Sequence, residues 1–305
     1  MRRILLWMAR NRFLKRTLPR LWFVRRATRR FMPGETMEAA LDAAEAFRPH
    51  GMGVLFTRLG ENLTDLSEAQ AVADHYHDLM RKIAARGMDA EISVKPTQLG
   101  LDLDREAALE HLRGLATHAA EMNGTLRIDM EGSAYTDPTL DLYRSLKQTH
   151  PNAGICLQAY LRRTPADVES LLPLHPSIRL VKGAYDEPKE IAYRRKSEVD
   201  AAYHALCVQM LPYAARGELR LGLGTHDTQL IERVAESARG AGFTTDAIEV
   251  EMLYGIRHGE QLRLAKEGYR VLTLIAYGEA WYPWYMRRLA ERPANVLFAL
   301  RQIFG

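Results

Sequence analysis

The stretch EISVKPTQLGLDLDREAALEHLRGLATHAAEMNGTLRIDME, residues 91–131, decides the fold. It opens on a β-rich run, EISVK (91–95). It passes through REAALEHLRGLATHAAEMNG (105–124), with apolar residues at helical spacing, and returns to β-type residues in LRIDME (126–131). Strand, helix, strand in that order implies parallel strands joined by right-handed crossovers. The same alternation runs outward in both directions. GVLFTR (53–58) precedes the helical AQAVADHYHDLMRKIAARG (69–87), and AGICLQA (153–159), IRLVKG (178–183), LRLGLG (219–224), IEVEML (248–253) and RVLTLIA (270–276) follow. Eight such units predict an α/β fold closed into a (β/α)8 TIM-type barrel. An open doubly wound sheet is the alternative, but no G-x-G-x-x-G follows the first strand.

The barrel occupies residues 51–305 in this reading, and residues 1–50 form a basic arm and a capping helix. Residues 1–31 hold 11 of the 42 Lys and Arg and none of the 38 Asp and Glu, so the remainder carries 31 bases against 38 acids, a net of −7. A basic arm on an acidic body points to an anionic partner. Pro33-Gly34 breaks the arm from the body, and TMEAALDAAEAFR (36–48) reads as the capping helix. A last helix is expected from about Tyr282, with Pro283 in its first turn and Pro293 as its stop. Cys156 and Cys207 sit in apolar runs without a CxxC neighbour, which predicts buried, reduced thiols and a cytoplasmic setting. No apolar run is long enough to span a bilayer. The charges of MRRILLWMARNRFLKR are too frequent for a signal peptide, although an Arg-rich, acid-poor start also suits an organelle transit segment.

In such barrels the C-terminal strand ends face the active site. Here they are polar on nearly every strand. They carry Arg58 and Glu61; Lys95; Asp129 and Glu131; Gln158 and Tyr160; Arg179, Lys182, Gly183, Ala184 and Tyr185; Thr225, His226 and Asp227; Glu251 and Tyr254; and Tyr277. Singly, each has a plain explanation. Arg179 and Lys182 suit ion pairs with neighbouring strands, a lone His226 suits a structural role, and Asp129 and Glu131, alternating with Ile128 and Met130, suit a salt-bridge layer. Together they are costly unless they serve a purpose, because unpaired polar groups inside a barrel are destabilising. Cations prevail among them and are joined by Arg287-Arg288, whose guanidinium forks suit a carboxylate. Tyr277, Trp281, Trp284 and Arg288 share one helical face if the last helix starts early, giving a pocket with an apolar wall and a charged end. Gly183 permits close backbone approach to a flat or phosphorylated ligand.

These motifs carry a resemblance. LRIDMEGSAYTD (126–137), QAYLRRT (158–164), RLVKGAYDEP (179–188), GTHD (224–227), EMLYGIR (251–257) and YGEAWYPWYMRRLAERPANVLF (277–298) resemble the bacterial monofunctional proline dehydrogenases, a family that includes the matching domain of PutA. LGEN (59–62) and VKP (94–96) fit the same pattern, and the final motif is the most specific. The resemblance implies FAD over the barrel mouth and hydride transfer from L-proline to the flavin, giving 1-pyrroline-5-carboxylate. It implies that Arg287 and Arg288, assisted by Lys95, hold the proline carboxylate, and that Tyr185 and Tyr277 wall the proline site. It sets Asp129 and Arg179 as catalytic residues near the flavin, and Met130, Gln158, Lys182, Gly183, Ala184, Thr225 and His226 as flavin contacts. Glu61 matches an acidic position that helps close the site. Position 251 departs from the pattern, being Glu where Gln is expected, which puts in doubt any hydrogen bond that needs an amide donor there.

The chemistry agrees with those roles. A carboxylate is oriented by fixed positive charge, and charge arriving on a flavin ring is stabilised by Arg179 or Lys182. No histidine base is evident beside the predicted site, so proton loss to water is as suitable as a dedicated base. A metal-dependent barrel isomerase or hydrolase is the first rival, with Asp129, Glu131, His226, Asp227 and Glu251 as ligands. Competing cations and the lack of HxH or HExxH spacing weigh against a metal. The second rival is a peripheral membrane or nucleic-acid binder acting through residues 1–31. Bases interleaved with Leu, Trp, Phe and Met suit an anionic lipid surface, at the inner face of a membrane where a quinone takes the electrons, better than nucleic acid.

Overall fold

A computed structural model describes residues 2–22, 24, 28, 31–60 and 63–291. Eight parallel strands close into a barrel in chain order, as the alternation predicts. They are β1 (Gly53–Arg58), β2 (Ala90–Val94), β3 (Leu126–Ile128), β4 (Ala153–Gln158), β5 (Ser177–Val181), β6 (Arg220–Gly224), β7 (Glu249–Leu253) and β8 (Arg270–Tyr277). Closure is made by β1 and β8, in register from Gly53–Leu272 to Arg58–Tyr277. Before the barrel come α1 (Arg2–Arg10), a short helix Arg12–Thr17, and α2 (Met37–Ala44), which runs on as a 3₁₀ turn over Glu45–His50. α3 (Leu66–Ala85), α4 (Arg105–Glu121), α5 (Thr136–Lys147), α6 (Thr164–Leu171), α7 (Lys196–Ala215), α8 (Thr228–Gly240) and α9 (His258–Lys266) follow β1 to β7 in turn. α10 (Trp281–Glu291) follows β8, starting one residue before the expected Tyr282. Its expected stop at Pro293 lies outside the described residues.

Local chemistry sets these boundaries. Asp65, Asp104 and Asp227 cap α3, α4 and α8 by accepting backbone N–H groups from Ser67, Glu106 and Leu230. The strands' outward residues, among them Phe56, Ile92, Ile155, Ile178, Leu221 and Val250, are buried under the helices in one continuous core with Tyr76, Leu112 and Leu140. Each such aliphatic side chain contributes about 1.5–3 kcal/mol relative to an exposed one. Cys156 and Cys207 are both buried and unpaired.

A second apolar cluster holds α10. Trp281, Tyr282, Tyr285, Met286 and Leu289 pack against Leu5 and Ala9 of α1 and against Phe31 and Met32. The Trp281 indole donates to Glu35 at 2.9 Å. The helix carrying the Arg287-Arg288 pair is thus supported by the N-terminal arm.

The barrel axis is filled by charge. Arg127 is wholly buried and contacts Glu91 and Glu249 at 3.0 Å each. It also faces Glu251 at 3.3 Å, an ion-pair contact without hydrogen-bond alignment. Arg220 adds contacts to Glu91 at 2.6 Å and Glu249 at 2.7 Å. Removing one partner of a buried pair strands the others in a medium that solvates them poorly. Arg127→Met leaves three acids facing a lost cation, and is expected to destabilise by about 3–5 kcal/mol. A thermal midpoint within a degree or two of the parent would refute this account of the axis.

Candidate active site

Above the Arg127 layer a second layer reaches the C-terminal rim. Arg179 on β5 pairs with Asp129, directly after β3, and with Glu251 on β7 at 3.4 Å. Ser93 on β2 donates to Asp129 at 2.7 Å and accepts from Arg179 at 2.9 Å. Lys95, directly after β2, reaches the other oxygen of Asp129 at 3.3 Å. Burial alone would raise the Asp129 pKa, but Arg179 and Lys95 overcome it and hold the carboxyl below its usual range. Asp129 is therefore an anion that orients two cations.

Gly222 makes this layer possible. It lies in register with Arg179 of β5 on one side and with Glu249 of β7 on the other, two residues before Glu251. A Cβ at Gly222 would sit 2.2 Å from Glu251 Oε1. The missing side chain lets Glu251 reach across to both arginines. A carboxylate suits that place, because Arg127 and Arg179 only donate. The expected loss of an amide donor at 251 thus has a compensating structure.

A cavity of about 730 Å³ opens at one side of the rim, between the ends of β1 and β8, α2, α3 and α10. Lys95, Tyr277 and Arg287, three of the five expected substrate residues, line it together. Tyr185, on the loop after β5, is not part of this lining but touches it through Arg287, whose guanidinium lies 5.7 Å from its ring centre. Arg288 lies instead over Trp284, at 5.9 Å, and does not line the cavity. Arg179 stands behind Lys95, linked through Asp129. Met130 is buried beside them, and Glu131 turns away to accept the N–H and hydroxyl of Thr97. The latter two follow β3, which ends at Ile128 rather than at 131.

Several expectations need correction. Tyr277 does not share a helical face with Trp281, Trp284 and Arg288; it is the last residue of β8, where strand pairing with Arg58 overrides the helical spacing. Lys182 is an ion-pair member, as its plain reading allowed, but with Asp200 on α7 at 2.5 Å and the α8 cap Asp227 at 2.9 Å rather than with a neighbouring strand. Gly183 has φ 109°, and a Cβ there would lie 2.3 Å from the Tyr160 ring, so packing against Tyr160 requires the glycine without any ligand. A histidine does flank the cavity: His75 of α3, hydrogen-bonded to the Tyr277 hydroxyl at 2.8 Å. Its position in a long amphipathic helix carried no signal distinguishing it from a surface residue. Gln98, in the 3₁₀ turn Pro96–Leu99, is buried and donates to the Arg58 carbonyl at 3.0 Å; a single amide in a short turn carries no sequence signal of this. Glu61 lies outside the described residues.

Toward β4–β6, Gln158 donates to the carbonyls of Met130 and Glu131 at 3.3 and 3.2 Å, while its own buried Oε1 has no partner among the described residues. An orphaned buried acceptor beside a rim of polar backbone fits a bound heterocycle with N–H donors. Ala184 is half-buried, as is His226, and Thr225 is buried and accepts the Asp227 N–H. The metal rival's carboxylates are committed elsewhere: Asp129 and Glu251 to arginines, Glu131 to Thr97, Asp227 to Lys182. Among the described residues no group of three His, Cys, Asp or Glu is arranged to hold a metal ion.

Fold and rim together define a (β/α)8-barrel enzyme with a cation-bearing pocket of small-molecule size. The chain matches the family model described as proline dehydrogenase over residues 40–301. Proline dehydrogenase 1 of Bacillus subtilis (strain 168) is 35% identical over 306 residues, 99% of each chain. Proline dehydrogenase of Deinococcus radiodurans is 35% identical over 277 residues, 89% of this chain and 88% of that one. Among solved structures, proline utilization A (PutA) from Bdellovibrio bacteriovorus, inactivated by N-propargylglycine, overlays with a TM-score of 0.81 at 23% identity. That likeness, which concerns the fold, covers 95% of this chain and 38% of the other. The chain belongs to the proline dehydrogenase family, oxidoreductases that act on proline and are generally flavin-dependent.

Acid exposes the Asp129 pairing. Its folded pKa lies below the unfolded value of about 3.9, so its stabilisation is complete above that value and is lost as pH falls through the folded one. Asp129→Asn is expected to lower the melting temperature at pH 7, with the deficit shrinking only as pH falls below about 4. Glu249 runs the other way, since burial pushes its pKa up, so the Asp129 effect is read as the difference between variant and parent. A deficit that stays constant across this range would show that Asp129 is not held as an ion.

Proposed function

We propose that this protein oxidises L-proline to 1-pyrroline-5-carboxylate with FAD as its resident flavin, and that a membrane quinone takes the electrons. The observation that carries the reading is the convergence of Lys95, Tyr277 and Arg287 from three separate elements onto one cavity. Lys95 and Arg287 present fixed charge to the carboxylate of a zwitterionic amino acid, and Arg288, on the same turn of α10, would complete the clamp by swinging from over Trp284. Tyr185 and Tyr277 supply flat walls for the five-membered ring. With the acid end held, the ring carbon beside nitrogen is the part left to react; it gives up a hydride and the nitrogen a proton. Asp129 keeps Lys95 and Arg179 in place through this change. Met130, Gln158, Lys182, Gly183, Ala184, Thr225 and His226 would hold the flavin, with Arg179 near its reacting part. When bound, the flavin supplies a two-electron acceptor for that hydride.

Anaerobic addition of L-proline is expected to bleach the flavin absorbance of the purified protein. Arg287→Ala and Arg288→Ala should each raise the proline concentration for half-bleaching about ten- to hundredfold, the loss of a charged hydrogen bond of about 1.5–3 kcal/mol. Equal responses in parent and both variants would remove the clamp. Colourless protein would remove the flavin.

The arm supports a membrane surface as the second partner, on the cytoplasmic side. Ile4, Trp7, Phe13 and Trp22 are 62, 60, 72 and 69% exposed, on a segment that is basic throughout. Leu5 and Ala9, on the opposite side of α1, face α10. One side of the helix is thus spent on the body, and the other presents aromatic and aliphatic groups suited to a headgroup layer. Among the described residues no helix is long and apolar enough to cross a membrane. Deleting residues 1–31 would also remove support from α10, so outward substitutions are the sharper probe. The triple variant Ile4→Ser, Trp7→Ser, Phe13→Ser should lose co-sedimentation with anionic vesicles and keep its KM for proline with a soluble acceptor. Unchanged co-sedimentation would end the membrane assignment.

A further inference from the structure

Tyr277 is fixed from two directions. Its backbone carbonyl accepts the Leu59 N–H at 2.7 Å, and the next residue, Gly278, turns the chain at φ 117°. A Cβ at Gly278 would come within 3.2 Å of the Leu59 carbonyl, so the turn is pinned against β1. The side chain is 1% exposed although it lines the cavity, and its hydroxyl bonds to His75 Nε2 at 2.8 Å. The two rings lie 5.7 Å apart and tilted by 32°.

His75 is itself held by its helix. Tyr76, the next residue, accepts the Arg58 N–H at 2.8 Å and donates to the Ser93 carbonyl at 3.1 Å, tying α3 to the ends of β1 and β2. Burial, then the nearby Arg58 charge, hold the His75 pKa down to about 4, so the ring is neutral near pH 7. Burial also pushes the Tyr277 phenol well above its usual range. Both groups are neutral partners in one hydrogen bond, and neither suits service as a proton store.

We infer that His75 is a positioning residue for the substrate: its hydrogen bond to Tyr277 sets the plane of the aromatic wall against which the substrate ring lies. This rests on the reading of Tyr277 as a wall of the proline site. The consequence is a loss confined to alignment. A misplaced wall leaves charge capture by Lys95 and Arg287 intact, so kcat falls more than KM rises, and displacements of about 1 Å cost up to about a hundredfold in rate.

The test is a double-mutant cycle on the flavin-loaded enzyme, with steady-state kinetics on L-proline and thermal unfolding. Tyr277→Phe and His75→Ala should each lower kcat at least tenfold, and the double variant should be no worse than the poorer single one. His75→Gln, whose amide reaches the same hydroxyl, should restore most of kcat, and melting temperatures should not track the kinetic losses. Losses that multiply in the double variant overturn the inference, as does failure of His75→Gln to recover activity while folded. An impaired Tyr277→Phe beside an unimpaired His75→Ala overturns it while leaving the wall in place. If Tyr277→Phe itself has parental kinetics, the hydroxyl has no part in setting the wall and the inference falls, whereas the proposed reaction, read by bleaching, still stands.

Discussion

A carboxylate shared between two cations sets the geometry of the rim. Asp129 holds Arg179 on one side and Lys95 on the other, and Arg179 is joined through Glu251 to Arg127 in the layer below. The barrel axis is a column of alternating charge from Glu91 at the N-terminal end to Lys95 at the mouth. Such a column is a weak source of net stability, because each ion surrenders its hydration. It is a strong source of uniqueness: shifting any member by one residue would strand another without a counter-charge. Rim cations built on such a base have fixed positions, which a carboxylate clamp requires.

The pocket is assembled from parts of unlike rigidity. Lys95 and Tyr277 adjoin barrel strands. Arg287 rides on α10, and α10 owes its support to the arm through Leu5, Ala9 and Phe31. Arg287, one charge of the proposed clamp, thus rides on a helix that packs against α1, whose outer side presents Ile4 and Trp7.

Much of this was legible in the chain. The period change from strand to helix gave all eight strands, their ends mostly within a residue, since parallel strands buried on both sides and amphipathic helices leave opposite imprints. The polar strand ends marked the rim for the same reason: charge is rare there without cause. Beyond that the sequence underdetermined the site. Lys182 could be read as an ion-pair member, but not its partners, because Asp200 lies on α7 and Asp227 caps α8, and their approach is a tertiary fact. For Gly183 the sequence suggested ligand approach, but nothing local announces the Tyr160 ring, which by itself already requires a glycine there. Tyr277 was placed correctly at the end of β8 by its strand pattern, and only the conditional helical face shared with Trp281 and Trp284 fails, because the helix starts at Trp281. His75 stayed hidden in a helix with several other polar residues, since only closure of β8 on β1 brings Tyr277 to it.

Glu251 shows how such long-range facts alter the meaning of one residue. By itself, an acid in place of an expected amide is a loss of a donor. In the barrel it is an acceptor placed between two arginines that have nothing to accept with. A glutamine would offer them one carbonyl oxygen and an amide group facing guanidinium. The carboxylate also fits only because position 222 has no side chain, as its Oε1 occupies the space where a Cβ would project. Glu251 and Gly222 therefore form one structural unit across neighbouring strands. An alanine at 222 would push the acid from both arginines, leave Arg179 to Asp129 and Ser93, and draw Asp129 away from Lys95. A methyl group deep in the barrel would in this way be felt at Lys95 on the rim, by one steric displacement passed on through charge.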